Sequence, residues 1–396
     1  MKRLSLIISC LFFLWFVQAQ EQYLSDYFVL KHQFKLTGYT EENSRELVGN
    51  AFDSKIYFCK KRAFFNKETN YEAAIYVVDY EENKQYLITL PFPEVKKSAN
   101  AARKYWIYGI FASEKQMLLA TQSAVLIYKN MNGVWKLQNS IPIQNPDFVW
   151  IAQQKVFAIT EDNRMGFHLW SSSLEAERMD SVAAFELKAH FLLQYGPNGF
   201  MKRNGNSLYF LNSPDFSIVK YNLEGEVMNK VSIQIPNSTL MPADYISKVN
   251  AMPYGSDRAM YAYYHSSQFT FPLEIFPLSD TLFLISYHEY DASSQKEALK
   301  MIILKMDTMW SQVAYHHVEM NFPQDEVIKE DAFPIYYNQP ELCLWVPLSN
   351  GIAQISKETE VSCKGKTGKE YTIAKEKYLQ NNPPLYLLKI MELKKN

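Results

Sequence analysis

Gly365-Lys366-Thr367 has the closing residues of a phosphate-binding loop, in which backbone amides and a lysine cradle phosphate oxygens. The glycine that opens such a loop is Glu360 here, so the cradle is missing. His316 and His317 are adjacent, with Glu319 on the same strand face as His317. Neighbouring residues of a strand point to opposite faces, so the two histidines do not converge on one metal. Asp325-Glu326 and Glu330-Asp331 lack the glycine at which a calcium loop bends, and they read as an exposed loop. Neither a G-x-S-x-G elbow nor an H-E-x-x-H pair occurs. No cofactor and no local catalytic motif is expected.

What remains is scattered. The chain carries 27 Tyr, 25 Phe and 7 Trp, far more aromatic surface than charge-based chemistry. Most of these rings must pack a core, and a few near the innermost strands are placed to stack on a sugar or a peptide. Trp106, Trp150, Tyr195 and Tyr336 are the aromatic candidates for ligand binding; Arg103, Asp147, Arg203 and Glu274 are the charged ones. Such a set works only if distant segments bring it to one mouth.

The elements that would do so recur six times. The first part of each unit is a hairpin: an apolar run, a polar turn and a second apolar run. It reads as FDSKIYF from Phe52, FASEKQMLL from Phe111, WIAQQKVFAI from Trp150, MKRNGNSLYF from Met201, FPLSDTLFL from Phe276 and YYNQPELCLW from Tyr336. The second part is another hairpin, starting at Ala74, Ala124, Gly166, Ser217, Lys300 and, in its loosest form, Gly351. Asn132-Gly133 and Glu224-Gly225 put glycine where tight turns need positive φ. Each unit is therefore a four-stranded antiparallel meander. One meander alone cannot bury both faces, whereas a ring of them can.

The pattern predicts an all-β, six-bladed β-propeller. Marker residues Ile56, Met117, Val156, Leu208, Leu282 and Leu342 are spaced by 61, 39, 52, 74 and 60 residues, so insertions fall between units. A seven-bladed ring is the alternative, if the 74-residue gap holds a degenerate blade rather than an excursion. The region Ala243 to Asn250 and the helix-prone Glu94 to Lys104 read as loop decorations. Closure can use Tyr27 to Leu36 from the N-terminus or Leu385 to Leu393 from the C-terminus. Scarce glycine, 13 of 396 residues, is the departure from the usual propeller habit.

Composition fits one globular body. There are 41 Lys plus Arg, 42 Asp plus Glu and 47% apolar residues, which excludes disorder, collagen-like repeats and electrostatic binding to nucleic acid. Lys2-Arg3, the uncharged run Leu4 to Val17 and Val17-Gln18-Ala19 form a secretory signal over residues 1–19, leaving one propeller domain over 20–396. The alternatives are an uncleaved anchor and a lipoprotein attached through Cys10. Cys59, Cys343 and Cys363 then stand in an oxidising compartment, where their odd number leaves at least one thiol outside any internal pair.

The six hairpin pairs, and above all SLYFLNSPDFSIVKYNLEGEVMNKVSI from Ser207, resemble the six-bladed propeller superfamily with TolB-like and NHL-type members, particularly secreted proteins of bacterial envelopes. The resemblance implies a periplasmic, envelope or extracellular setting and transfers no catalytic residue. The expected function is a non-catalytic, exported, monomeric propeller binding a protein or glycan through one face or the channel mouth. A propeller hydrolase or lyase acting on a carbohydrate or lactone is the alternative, and a structural subunit of an envelope assembly is the third reading. Mass spectrometry of the exported protein is expected to find Gln20 at its N-terminus. An acylated Cys10 would reject that site.

Overall fold

The computed structural model describes residues 22–36, 47–60, 72–93, 106–162, 166–189, 200–212, 215–235, 238–253, 256–294, 296–319, 333–338, 341–347, 361–367, 370–371, 373–374, 377 and 386–394. β1 (Gln22–Tyr23), the single turn α1 (Leu24–Tyr27) and β2 (Phe28–Leu36) precede the repeats. The first sheet is β3 (Leu47–Phe52), β4 (Lys55–Lys60), β5 (Glu72–Asp79) and β6 (Lys84–Pro91). The second is β7 (Ile107–Ala112), β8 (Gln116–Thr121), β9 (Ala124–Met131) and β10 (Val134–Pro142). The third is β11 (Pro146–Ala152), β12 (Lys155–Asp162), β13 (Gly166–Ser173) and β14 (Asp180–Glu186). The fourth is β15 (Met201–Asn204), β16 (Ser207–Asn212), β17 (Ser217–Tyr221) and β18 (Val227–Ser232). Helices α2 (Ala243–Ala251) and α3 (Ser256–Ser266) follow, so the 74-residue gap holds helices where a seventh sheet was the alternative. The fifth sheet is β19 (Phe271–Pro277), β20 (Leu282–Asp291), β21 (Lys296–Met306) and β22 (Gln312–Glu319), with β1 added in parallel beside β22. The sixth is β23 (Phe333–Asn338), β24 (Glu341–Pro347) and β25 (Tyr386–Leu393), completed by β2.

Burial within a sheet follows strand position. The second and third strands of the second sheet are covered on both faces and read as buried runs, MLLAT of β8 and VLIY of β9. Fourth strands alternate, because one side meets solvent: β10 buries Ile141 and half-buries Trp135 and Leu137, while Val134, Lys136 and Gln138 point out. Successive sheets pack face to face. Tyr57, Ile75 and Val77 of the first sheet meet Ile110, Leu119 and Tyr128 of the second. The next interface pairs Leu118 and Ile127 with Val149 and Ala158, and then Trp150, Phe157 and Phe167 meet Phe210. Tyr209 and Ile218 meet Phe283 and Ile302 of the fifth sheet. This is an all-β architecture of the propeller type.

A second repeat signature lies in the pairing register. β11, β19 and β23 each shift register across a proline, at Pro146/Phe148, Pro272/Glu274 and Pro334/Tyr336, and β7 shifts at Ile107/Gly109. A bulge leaves one residue out of the ladder, so a proline without an N–H is tolerated beside it, and the strand gains twist.

The N- and C-terminal strands pair with each other: β2 runs antiparallel to β25 from Phe28↔Leu393 to Leu36↔Tyr386. Both sequence candidates for the closing strand thus lie in one sheet, side by side. The stretch from Gly351 expected as the second hairpin of the last unit is corrected here, since residues 361–365 form a helical turn and β25 supplies the third strand. Its first ten residues, like Glu94 to Lys104, lie outside the described residues.

Phe28 anchors β2 at 1% exposure, whereas Leu30, two residues on, is 45% exposed. Phe28→Ala is expected to lower unfolding free energy by about 3–5 kcal/mol, and Leu30→Ala by no more than about 0.5 kcal/mol, both read from denaturant titrations.

Candidate functional site

The eight sequence-selected residues distribute as follows. Arg103 and Tyr195 lie outside the described residues, and Tyr336 is in β23 without a described side chain. Trp106 is half-buried just before β7. Asp147 occupies the bulge of β11, where its carboxylate accepts the Glu161 amide at 3.1 Å. Trp150 is buried between the third and fourth sheets, stacked on Phe157 at 5.2 Å, with the Arg203 guanidinium 5.8 Å from its ring. Glu274 pairs with Lys202 of the neighbouring sheet at 2.9 Å, and Lys202 also lies 5.0 Å from the Phe276 ring. The structure therefore joins Trp150 to Arg203 and engages Asp147 and Glu274 in contacts within and between sheets.

The paired histidines diverge as strand geometry requires. His316 faces the Tyr27 ring at 6.3 Å, and His317 Nδ1 lies 3.3 Å from the Tyr287 hydroxyl. Burial lowers the His317 pKa, opposed by Glu289 and aided by Lys300. Asp325-Glu326 and Glu330-Asp331 lie outside the described residues.

A different site forms on the turn ends of the first two sheets. The β3–β4 turn holds Phe52 and Asp53, the latter at φ 57°, a conformation that aspartate tolerates better than most residues. Tyr80 ties this turn to the β5–β6 turn: its hydroxyl donates to the Asp53 carbonyl and its amide to the Ser54 carbonyl, both at 3.0 Å. In the second sheet the Asn130 amide donates to the Lys115 carbonyl at 2.9 Å, joining the β7–β8 and β9–β10 turns. Asn132 and Gly133 have φ of 55° and 87°, and the Gly133 amide donates to Asn130 Oδ1 at 2.8 Å. Asn50 Oδ1 accepts the Ala112 amide at 3.3 Å and binds the two inner strands.

Between these fixed turns lies an open groove of about 590 Å³. Its rim is apolar and exposed: Phe52 at 38%, Tyr86 at 42%, Leu87 at 53% and Val134 at 57%. Trp135 forms part of the wall, and Asp53 and Glu114 add carboxylates. Beneath them Lys55 Nζ lies 3.4 Å from Asp79 Oδ2. Burial opposes the Lys55 charge, yet the Asp79 contact, with Tyr86 and Asp53 nearby, holds its pKa above the ordinary lysine value.

Tyr57 lines the same groove at only 5% exposure. Its hydroxyl has no hydrogen-bond partner among the described residues. Burial, with the nearby Tyr86, Asp79 and Asp53, pushes its pKa up to about 12, so it keeps its proton as a donor. The sequence reading missed this site because it sought aromatics on inner strands, and Tyr86 and Trp135 sit on outer ones. The available signal was in β10, where Val134 stands exposed beside Trp135 on a strand whose polar residues face outward.

No protein-family model matches the sequence, and no curated protein matches it. Among solved structures, a candidate exported protein of Bacteroides fragilis is similar at 11% identity, with 95% of this chain and 98% of that chain covered and a TM-score of 0.58. A DUF4221 family member from Bacteroides vulgatus is 11% identical over 93% of this chain and 98% of its own, with a TM-score of 0.49. A luciferin-regenerating enzyme is 7% identical over 92% and 97%, with a TM-score of 0.40. At this identity the first likeness bears on the fold alone.

Two buried tyrosines should respond differently to loss of their hydroxyls. The Tyr209 hydroxyl donates to Asp280, which also pairs with Lys220 at 3.0 Å. Tyr209→Phe is expected to cost about 1.5–3 kcal/mol, the worth of a charge-assisted bond. Tyr57→Phe is expected to change stability by less than about 0.5 kcal/mol in the same denaturant titration.

Proposed function

We propose that the chain is an exported β-propeller of six blades that acts by binding a protein or glycan partner rather than by turning over a substrate. The signal over residues 1–19 supports export, with the mature monomer forming one domain in the periplasm, envelope or extracellular space. Among the described residues no helix is long and apolar enough to cross a membrane. Six blades are supported by the order of the six sheets and by the sixth reaching the first, where His32 of β2 meets Tyr80 at 5.2 Å.

The groove between the first and second sheets carries the binding reading. Exposed aromatic and aliphatic side chains are held there on turns that are hydrogen-bonded to one another, so the surface is organised before a partner arrives. The hydrolase or lyase alternative needs an acid and a base free to act at the inner strands. Asp147 and Glu274, its first candidates, already hold a backbone amide and a lysine.

Hydrogen-exchange mass spectrometry tests this with the exported protein, incubated separately with the protein and polysaccharide fractions of the producing cell's envelope. Protection is expected over residues 84–91 and 130–136, and it should vanish in Leu87→Asp. Protection confined to the inner strands around Asp147 and Glu274 would move the site to the channel mouth, and chemical conversion of a fraction would favour the enzyme.

A further inference from the structure

The groove combines an apolar rim with a polar floor, and that combination selects among ligands. Tyr86 and Trp135 offer ring surface, and their hydroxyl and indole N–H have no hydrogen-bond partners among the described residues. The polar part of the lining is Tyr57 together with Lys55, which the buried Asp79 holds from behind. A peptide side chain of apolar type seated there would strip water from the Tyr57 hydroxyl and leave it unbonded, which is unfavourable. A sugar hydroxyl accepts from that phenol and donates to a carboxylate at once, while the C–H face of the ring covers an aromatic.

Charge narrows the choice further. Asp53 and Glu114 line the groove, and the one lysine that lines it, Lys55, is already paired with the buried Asp79, so a uronate or phosphorylated sugar meets net repulsion. The volume, about 590 Å³, lies within the range of small-molecule sites and suits a short oligosaccharide.

Resting on the binding role already assigned to this groove, we propose that its ligand is a neutral glycan, with sugar rings against Tyr86 and Trp135 and hydroxyls bonded to Tyr57, Asp53 and Glu114. The groove is a preformed saccharide site on one face of the propeller, lined by none of the inner-strand residues Asp147, Trp150, Arg203 and Glu274.

The test is titration of the exported chain with maltotriose, cellotriose, mannotriose, xylotriose and chitotriose, with trigalacturonate as the anionic comparison. Fluorine NMR of fluorotryptophan-labelled protein reads Trp135, assigned by Trp135→Phe. At least one neutral trisaccharide is expected to shift the Trp135 signal saturably, and trigalacturonate is not. Tyr86→Ala, at an exposed position, should weaken that affinity about tenfold or more, and Tyr57→Phe about fivefold without altering stability. Silence across the neutral panel, a preference for trigalacturonate, or unchanged affinity in Tyr86→Ala would overturn the glycan assignment. If the panel is silent while the protein fraction still protects residues 84–91 from exchange, the groove binds a protein and only the glycan reading fails. If neither fraction protects it, both readings fail.

Discussion

The four-stranded units whose burial is described pack apolar residues on both faces, and the rest of the structure depends on that. A sheet whose second and third strands are buried on either side, as Leu118 and Leu119 of β8 are, needs a neighbour on each flank. Leu118 packs toward the third sheet and Leu119 toward the first, so one strand serves two interfaces. Successive units therefore stack in chain order, and the terminal strands have to complete a sheet between them. β2 and β25 do so, with Phe28 as the buried end of the ladder.

This stacking leaves solvent only at the outer strands and at the two ends of each sheet, where turns and connections lie. The ends are the places where side chains can be spared from the core. On the turn side, a groove lies between the first and second sheets beside Tyr57, and hydrogen bonds within each sheet tie its two turns together. Elsewhere the gap between sheets is filled: Gly225 passes so close to Ala183 that a Cβ would collide with it. Gly109 allows the inner strands β7 and β11 a similar approach, since a Cβ there would lie 2.9 Å from the Asp147 carbonyl. Few glycines are needed because asparagine, aspartate and glutamine adopt positive φ at Asp53, Asn83, Asn132, Asn145, Gln153 and Gln154.

The hairpins from Ala74, Ala124, Gly166 and Ser217 were legible because a buried run, a turn and an alternating strand follow one another within some twenty residues. The last sheet was not, because its third strand comes 38 residues after β24 and its fourth from the other end of the chain. Local pattern cannot announce a partner so distant. The proline-marked bulges at Pro146, Pro272 and Pro334 were visible as residues but not as a register, which only the paired strand defines. The groove failed for a related reason. Tyr57, Tyr86 and Trp135 are ordinary strand residues singly, and their convergence depends on how two sheets are inclined.

The contrast between the charged residues of the inner strands and the groove is one of hydrogen-bonding capacity, although Trp150 Nε1 on β11 is also buried without a hydrogen-bond partner among the described residues. Buried polar groups that already have partners offer little to a ligand, because binding would have to break one bond to make another. Lys202 and Glu274 are joined across two sheets, Asp147 holds a backbone amide, and Tyr209 is bonded to an aspartate that also pairs with Lys220. These contacts bind sheet to sheet or strand to strand. In the groove, Tyr57 is nearly as buried as Tyr209, yet its hydroxyl meets no protein acceptor among the described residues. In the free protein, water must satisfy it. A ligand that replaces that water with its own hydroxyl gains apolar contact from the rim at little polar cost, and this asymmetry separates the groove from the contacts that join sheet to sheet.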